Sequence, residues 1–271
     1  MTSSTFAVVT GASSGIGAEL ALLLAADGFN LMLSAEEGDG GDGLEPVAVR
    51  CRAAGVEVQT FRADLRTFDG VQALYEAVIA TGQPVDVAAV NAGVGRGGAF
   101  VDTDLADLLE VVHLNVASTV HLTRLLLGDM VARDAGRLLL TSSIASTMPG
   151  SFHAVYNASK SFVQSLAEAL QDELKDSAVT LTSLMPGPTE TNFFHRAGMD
   201  DTRLGQSKKD DPADVAQQGY AALMAGKDRV VAASALTKAQ ELAAKVLPDK
   251  LKAAMHRKMS EPTDDQGAAG S

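Results

Sequence analysis

The chain has 271 residues, 46% apolar and 21% charged, which is enough for one α/β domain with a large core. Its 22 Lys and Arg against 34 Asp and Glu leave a net charge of -12, and this speaks against nucleic-acid binding, where phosphates are met by clustered Lys and Arg. The single cysteine, Cys51, excludes an intramolecular disulfide and a cysteine-built metal site, and suits a reducing compartment such as the cytoplasm.

In chain order, Phe6 to Val9 reads as a buried strand running into Thr10-Gly11. From Gly15 to Asp27 the apolar residues Ile16, Leu20, Leu23 and Leu24 have helical spacing. Gly28 ends that helix, and Asn30 to Leu33 is the next strand. A helix over Leu44 to Ala54, a strand over Val56 to Phe61 and a helix over Phe68 to Ala80 follow. The pattern predicts a strand at Val85 to Val90, a helix from Leu105 to Ala132 and a strand at Arg137 to Thr141. It continues with a helix at Val155 to Lys175, a strand at Val179 to Leu184, a helix at Pro212 to Met224 and a short strand at Arg229 to Val231.

Continuously apolar strands separated by helices imply a parallel sheet covered on both faces. The expected fold class is α/β, a Rossmann-like doubly wound sheet of about seven strands with helices on both faces. Residues 1–260 read as one dinucleotide-binding and catalytic domain, and 261–271 as a disordered Gly- and Ala-rich tail. The Gly- and Asp-rich stretch 38–43 is a solvated loop, since a lone copy of a Gly/Asp calcium repeat has no neighbour to stack on. No apolar run is long enough for a membrane span, and no basic segment precedes the first apolar stretch as in a signal peptide.

The turn Thr10-Gly11-Ala12-Ser13-Ser14-Gly15-Ile16-Gly17 lies between a strand and a helix N-terminus. Glycines there permit a tight turn and bring backbone N–H groups close to a pyrophosphate at the positive end of the helix. Tyr156 and Lys160 are four apart and share a helix face. An ammonium beside a phenol lowers the phenol's pKa from about 10, which would suit Tyr156 to general acid/base work. Ser143 ends a strand, where its hydroxyl can hold a carbonyl oxygen that gains charge, with Ser142 as its rival. The histidines His113, His121, His153, His195 and His256 have no metal-ligand spacing, and no metal is expected. His153 reads as pocket lining or surface.

These motifs together resemble the short-chain dehydrogenase/reductase family. Its T-G-x-x-x-G-x-G turn matches Thr10 to Gly17, and its N-A-G matches Asn91-Ala92-Gly93. Its catalytic serine, thirteen residues before the tyrosine, matches Ser143, and its Y-x-x-x-K matches Tyr156 and Lys160. Pro186-Gly187 matches the motif after the sixth strand, so the likeness covers about residues 5 to 235.

The resemblance implies catalytic roles for Asn115, Ser143, Tyr156 and Lys160. Asn115 would anchor a water in a proton relay to Lys160, or else act as a helix-interior amide that holds backbone. Cofactor contacts would come from Gly11, Ser13, Ser14, Gly15, Ile16 and Gly17, then from Glu36 after the second strand. Asp64 and Leu65 follow the third strand, and Asn91, Ala92 and Gly93 the fourth. Tyr156, Lys160, Pro186, Gly187, Thr189 and Thr191 complete the set.

The cofactor would be NAD or NADP. Members preferring NADP usually carry arginine at the Glu36 position, and members preferring NAD an aspartate one place earlier, where this chain has Ala35. Glu36 matches neither pattern, but its charge favours NAD by repelling the extra phosphate. The implied enzyme is a short-chain alcohol dehydrogenase or ketoreductase, moving hydride between nicotinamide and a ketone or secondary alcohol. Val94, Ala145, Met148, Pro149 and Phe152, with Phe193, Phe194, Met199 and Leu204, suggest an uncharged or apolar substrate, or a packed lid.

Two alternatives stay open. One is a 3-oxoacyl thioester reductase, which would want basic residues for a phosphopantetheine carrier. The other is a non-catalytic dinucleotide-binding regulatory protein. The family's habit implies a homodimer or homotetramer built through the helices carrying Asn115 and Tyr156. The basic residues Lys238, Lys245, Lys250, Lys252, Arg257 and Lys258 read as a solvated face rather than a membrane-surface helix.

Overall fold

Neighbouring residues along the inner strands point to opposite sides of one sheet, and both sides are buried. In the computed structural model, which describes residues 5–36, 43–234 and 248–261, β1 is Phe6–Thr10. Ala7 and Val9 join one apolar cluster, and Phe6 and Val8 the other. In β5, Arg137–Thr141, Leu139 faces the first cluster while Leu138 and Leu140 face the second. This period of two, apolar on both faces, is why these strands read as unbroken apolar runs.

The other strands are β2 (Asn30–Ala35), β3 (Val58–Arg62), β4 (Val87–Val90), β6 (Thr180–Pro186) and β7 (Arg229–Ala232). They form one seven-stranded sheet in the order β3-β2-β1-β4-β5-β6-β7, with every pairing parallel. The order reverses between β1 and β4, and that switch point opens a crevice at the strands' carboxyl ends.

Helix α1 (Gly15–Ala26) buries Gly17, Leu20, Ala21 and Leu24 at helical spacing, and packs on the first face with α2 (Glu45–Arg52) and α9 (Pro212–Met224). The second face is covered by α3 (Phe68–Ala80), α5 (Ser118–Arg133) and α6 (Ala154–Glu173). Thr67 caps α3 by accepting from the Gly70 N–H, and Asp211 caps α9 by accepting from the Ala213 N–H.

The helix expected from Leu105 to Ala132 is interrupted. Helix α4 covers Leu105–Val112, a π-helical turn covers His113–Ala117, and α5 follows. The Ser118 hydroxyl donates to the Leu114 carbonyl at 2.6 Å within this wider turn. The segment after β6 contains two short helices, α7 (Phe193–Arg196) and α8 (Arg203–Gln206). They carry a small core of Phe194, Ala197 and Met199. A last helix, α10 (Asp249–Ser260), returns to the carboxyl-end crevice. Among the described residues no helix is long and apolar enough to cross a membrane. Glu37, most of the Gly/Asp loop, Lys238, Lys245 and the tail after Glu261 lie outside the described residues.

Leu139 is fully buried in a central strand. Leu139→Ala should therefore cost about 2–5 kcal/mol, read as a lowered urea midpoint with cofactor absent. An unchanged midpoint would contradict this packing.

Candidate active site

The glycine turn is shaped by contacts that no side chain could share. Gly11 and Gly15 have φ of +64° and +57°, the left-handed region that favours glycine. A Cβ on Gly17 would stand 2.2 Å from the Gly11 carbonyl oxygen and 2.6 Å from Asn91 Nδ2. Ser14 enters α1 in an extended conformation without capping it through its own side chain. The first N–H groups of α1 therefore face the crevice, and the positive helix end favours an anion there. A cleft of about 920 Å³ runs from this turn, past Asn91, Ala92 and Gly93, to Tyr156. Pro186, Gly187, Thr189 and Thr191 line it as well. An elongated cleft with a glycine cradle at one end fits a dinucleotide.

Hydrogen bonds tie the strand ends beneath this cleft. Thr10 Oγ1 accepts from the Asn91 and Ala92 N–H groups at 3.0 and 3.1 Å. Asn91 Nδ2 donates to the Thr10 carbonyl at 3.2 Å, and Asn91 Oδ1 accepts from Thr141 Oγ1 at 3.0 Å. The Thr141 carbonyl in turn accepts from Lys160 Nζ at 2.8 Å. Asn91, expected as a cofactor contact, is also the bridge between β1, β4 and β5.

Tyr156, Ser143 and Lys160 meet at the end of β5. Ser142, the rival, turns away and donates to the Lys160 carbonyl at 3.1 Å. Ser143 Oγ accepts from the Ala145 N–H at 3.1 Å and lies against the phenol. Asn157 fixes the intervening loop by donating to the Ala145 and Met148 carbonyls at 3.1 and 3.2 Å. The π-helical turn buries Asn115, whose Oδ1 accepts from the Val94 N–H at 2.9 Å. Its Nδ2 donates to the Val94 carbonyl at 2.9 Å and to Ser159 Oγ at 3.0 Å. The Asn115 amide thus anchors the loop that follows Gly93.

At the Tyr156 phenol burial outweighs the expected pull of the Lys160 ammonium, which lies 5.9 Å from the ring centre and is engaged by the Thr141 carbonyl. Burial pushes the Tyr156 phenol up to about 12, and the Ser143 contact opposes this only in part. Burial also lowers Lys160 from its ordinary 10.5 to about 8. Both shifts arise because charge is costly in this crowded site, although part of the Tyr156 surface still opens to the cleft.

Beyond the cleft lining, the ends of β2 and β3 carry an ion-pair network that the sequence did not predict. Glu36 follows β2 as expected, but it is ion-paired with Arg66, which also binds Asp64 at 2.7 Å and Glu110 at 2.7 Å. Glu110 continues to Arg96 at 2.6 Å. The Arg66 guanidinium holds the Asp64 carboxyl below the usual carboxylate range. Leu65 is a core residue, packed with Val71 and Leu74 rather than facing the cleft. Its apolar side chain is more stable in the second cluster than against solvent.

Two further elements were not foreseen. Arg96 Nη1 donates to the Arg196 carbonyl at 2.7 Å, and Arg196 Nη2 reaches Ser14 Oγ at 3.4 Å, joining α7 to the glycine turn. Helix α10 is not a wholly solvated face, because His256 and Ser260 are buried and Met255, His256 and Met259 line the cleft. Their i, i+1 and i+4 spacing among basic residues was the available signal.

Residues 5–201 match the family described as short chain dehydrogenase. The chain belongs to the short-chain dehydrogenase/reductase family. A Bacillus subtilis relative named "Uncharacterized oxidoreductase YmfI" is 32% identical over 70% of this chain and 77% of its own. A Streptomyces coelicolor "Putative ketoacyl reductase" is 38% identical over 68% of this chain and 70% of its own. Among solved structures, a Burkholderia phymatum short-chain dehydrogenase/reductase in complex with NAD is 27% identical. It has a TM-score of 0.77 and covers 88% of this chain and 92% of its own. A Sphingobium yanoikuyae short-chain dehydrogenase in complex with NADPH, 24% identical over 97% and 98% of the two chains, shares the fold at a TM-score of 0.78. Membership makes this chain an oxidoreductase that uses a nicotinamide cofactor.

The Lys160 shift makes a testable demand on this short-chain dehydrogenase/reductase. Between about pH 8 and 10.5 the unfolded lysine keeps a proton that the folded one has released, so its contribution to stability rises with pH. The difference in melting temperature between wild type and Lys160→Met, without cofactor, should move in the wild type's favour from about pH 7.5 to about pH 10. A difference independent of pH would contradict a buried lysine with a lowered pKa.

Proposed function

We propose that the protein interconverts a ketone and a secondary alcohol, with Tyr156 as the proton donor and acceptor. The observation that carries this reading is the half-buried phenol beside Ser143, at the opposite end of one cleft from the glycine cradle. When bound, the nicotinamide dinucleotide supplies or accepts the hydride. Gly11, Ser13, Ser14, Gly15, Ile16, Gly17 and Thr191 would hold its phosphates and adenosine side, and Asn91, Ala92, Gly93, Pro186, Gly187 and Thr189 its middle. Lys160 would bind its nicotinamide ribose.

In the reducing direction the substrate oxygen sits between the Ser143 hydroxyl and the Tyr156 phenol. Ser143 donates a hydrogen bond to that oxygen as negative charge develops on it, and Tyr156 delivers the proton. A phenol pushed to about 12 is fully protonated near neutrality, so it is ready to donate. In the oxidising direction the alcohol proton passes to Tyr156 in its deprotonated form, which the protonated Lys160, fixed on the Thr141 carbonyl of the same site, would favour. Asn115 positions Gly93 and Val94 at the cleft wall.

Tyr156→Phe keeps the ring and removes the proton. Turnover of the best ketone should fall at least about a hundredfold while cofactor still binds, read by steady-state kinetics and fluorescence titration. Near-normal turnover would sink the mechanism.

The mostly apolar lining favours an uncharged substrate. The name of the Streptomyces coelicolor relative favours a second reading, a 3-oxoacyl thioester reductase. The apolar tips of Met255 and Met259 at the cleft suit an acyl tail, while the net charge of -12 disfavours an anionic carrier arm.

NAD is the proposed cofactor. Glu36, Asp64 and Glu110 set three carboxylates against two guanidinium groups, those of Arg66 and Arg96, so this network keeps an acidic excess. That excess opposes a ribose phosphate. Glu36→Arg should move the ratio of the two efficiencies towards NADP(H) by at least about tenfold, because it replaces a repelling carboxylate with a guanidinium. An unchanged ratio would show that Glu36 does not face the ribose.

A self-associating surface is proposed on α6 and α4. Ala158, Phe162 and Ala169 of α6 are exposed, as are Leu105, Leu109 and Val112 of α4. Covering such apolar faces by a two-fold contact gives a dimer or tetramer. Light scattering at micromolar concentration should show one of these, and a monomer would reject it.

A further inference from the structure

We infer that His153 is a specificity-determining residue whose Nε2 hydrogen-bonds a second oxygen of the substrate, next to the carbonyl served by Tyr156. The inference rests on the oxidoreductase reading and names the substrate class within it: an α-hydroxy ketone, a 1,2-diketone or the matching vicinal diol.

His153 immediately precedes α6 and stacks on the Tyr156 ring, with centroids 4.4 Å apart and planes within 19°. The stacking holds an imidazole edge beside the phenol. His153 is only 3% exposed, yet it lines the cleft, and its Nε2 has no hydrogen-bond partner among the described residues. A buried polar nitrogen left unpaired costs free energy unless a ligand satisfies it. Only a glycine fits at position 95 beside that nitrogen, since a Cβ there would lie 3.0 Å from Nε2 and 2.5 Å from Phe193 Cζ, so the imidazole packs directly on the Gly95 backbone.

The imidazole is held neutral. Burial and the neighbouring His256 lower it to about 3. A neutral imidazole has one N–H donor and one acceptor nitrogen, so it can pair with a carbonyl or a hydroxyl oxygen, as the two redox partners of this class require. The ring is buttressed from behind. His256 of α10 lies 6.5 Å away, with its Nδ1 3.0 Å from the Ser151 carbonyl and 3.2 Å from Ser260 Oγ. Phe193 closes the opposite side, 6.3 Å from the His153 ring and 5.1 Å from Tyr156. For packing alone a phenylalanine would serve against these rings. An imidazole with an unpaired nitrogen adds only the ability to recognise a polar atom.

The test uses matched ketones with and without the adjacent oxygen, such as 2-hydroxyacetophenone and acetophenone, together with aliphatic pairs. Wild type should favour the oxygenated member in kcat/KM by at least about tenfold, as a site built around a substrate oxygen rejects the analogue lacking it. His153→Phe, which keeps the stacking, should bring that ratio close to one, and His153→Gln should restore part of it. No preference in any pair, or an unchanged ratio in His153→Phe, would overturn the inference. An independent readout is NMR of the cofactor-bound protein with nitrogen-15 histidine. The Nε2 resonance absent from His153→Phe should shift with 2-hydroxyacetophenone and not with acetophenone. That shift without turnover of any ketone would sink the oxidoreductase reading and leave the inference standing. Turnover with no ratio and no shift would do the reverse.

Discussion

One side chain, Asn91, joins the ends of three strands, and the geometry of the cleft depends on it. Its amide donates to the Thr10 carbonyl and accepts from Thr141, while its backbone N–H is held by the Thr10 hydroxyl. Those bonds lock the carboxyl ends of β1, β4 and β5 to one another at the point where strand order reverses. The glycine turn folds over the same amide, which is why Gly17 has no room for a Cβ. Lys160 hangs from the Thr141 carbonyl on the next strand. The cradle and the catalytic helix are thereby registered against each other through short, largely sheltered bonds, as a reaction between two bound molecules requires.

From that frame the chemistry follows by charge economy. The cleft floor is crowded with apolar groups, so both titratable groups at its centre are driven towards their neutral forms. A protonated phenol suits delivery of a proton to a carbonyl oxygen. The ends of β2 and β3 are built differently, with Glu36, Asp64, Glu110, Arg66 and Arg96 in one partly exposed network outside the cleft lining. Exposed pairs of this kind add little stability each, but together they fix the sign of the field where the adenosine would lie. Recognition at that end is electrostatic, while at the Tyr156 end it depends on a few hydrogen-bonding atoms in an apolar wall.

How much of this was legible in the sequence depends on range. The alternation of apolar runs and helical spacing revealed the parallel sheet, because burial on both faces leaves a direct trace in each strand. The turn from Gly11 to Gly17 and the Tyr156/Lys160 pair were legible since their partners lie within one motif. The choice of Ser143 over Ser142 rested on a family offset, and the two hydroxyls do point to different neighbours. The π-helical turn at Asn115 was not legible, because one extra residue barely disturbs a helical pattern. Arg66 reaching Glu36 joins residues 30 apart, and the return of α10 to His153 spans about a hundred. Such contacts depend on where the sheet places each end, and neither spacing nor composition records them.

The central claim is that hydride moves between a nicotinamide ring and a substrate carbon in this cleft. The most direct measurement incubates the protein with the ketone panel and NADH or NADPH carrying deuterium at both C4 positions, and reads the products by mass spectrometry. An alcohol that carries the label on its carbinol carbon is the expected product. Labelled product from none of the ketones with either cofactor, or alcohol formed without the label, would contradict it.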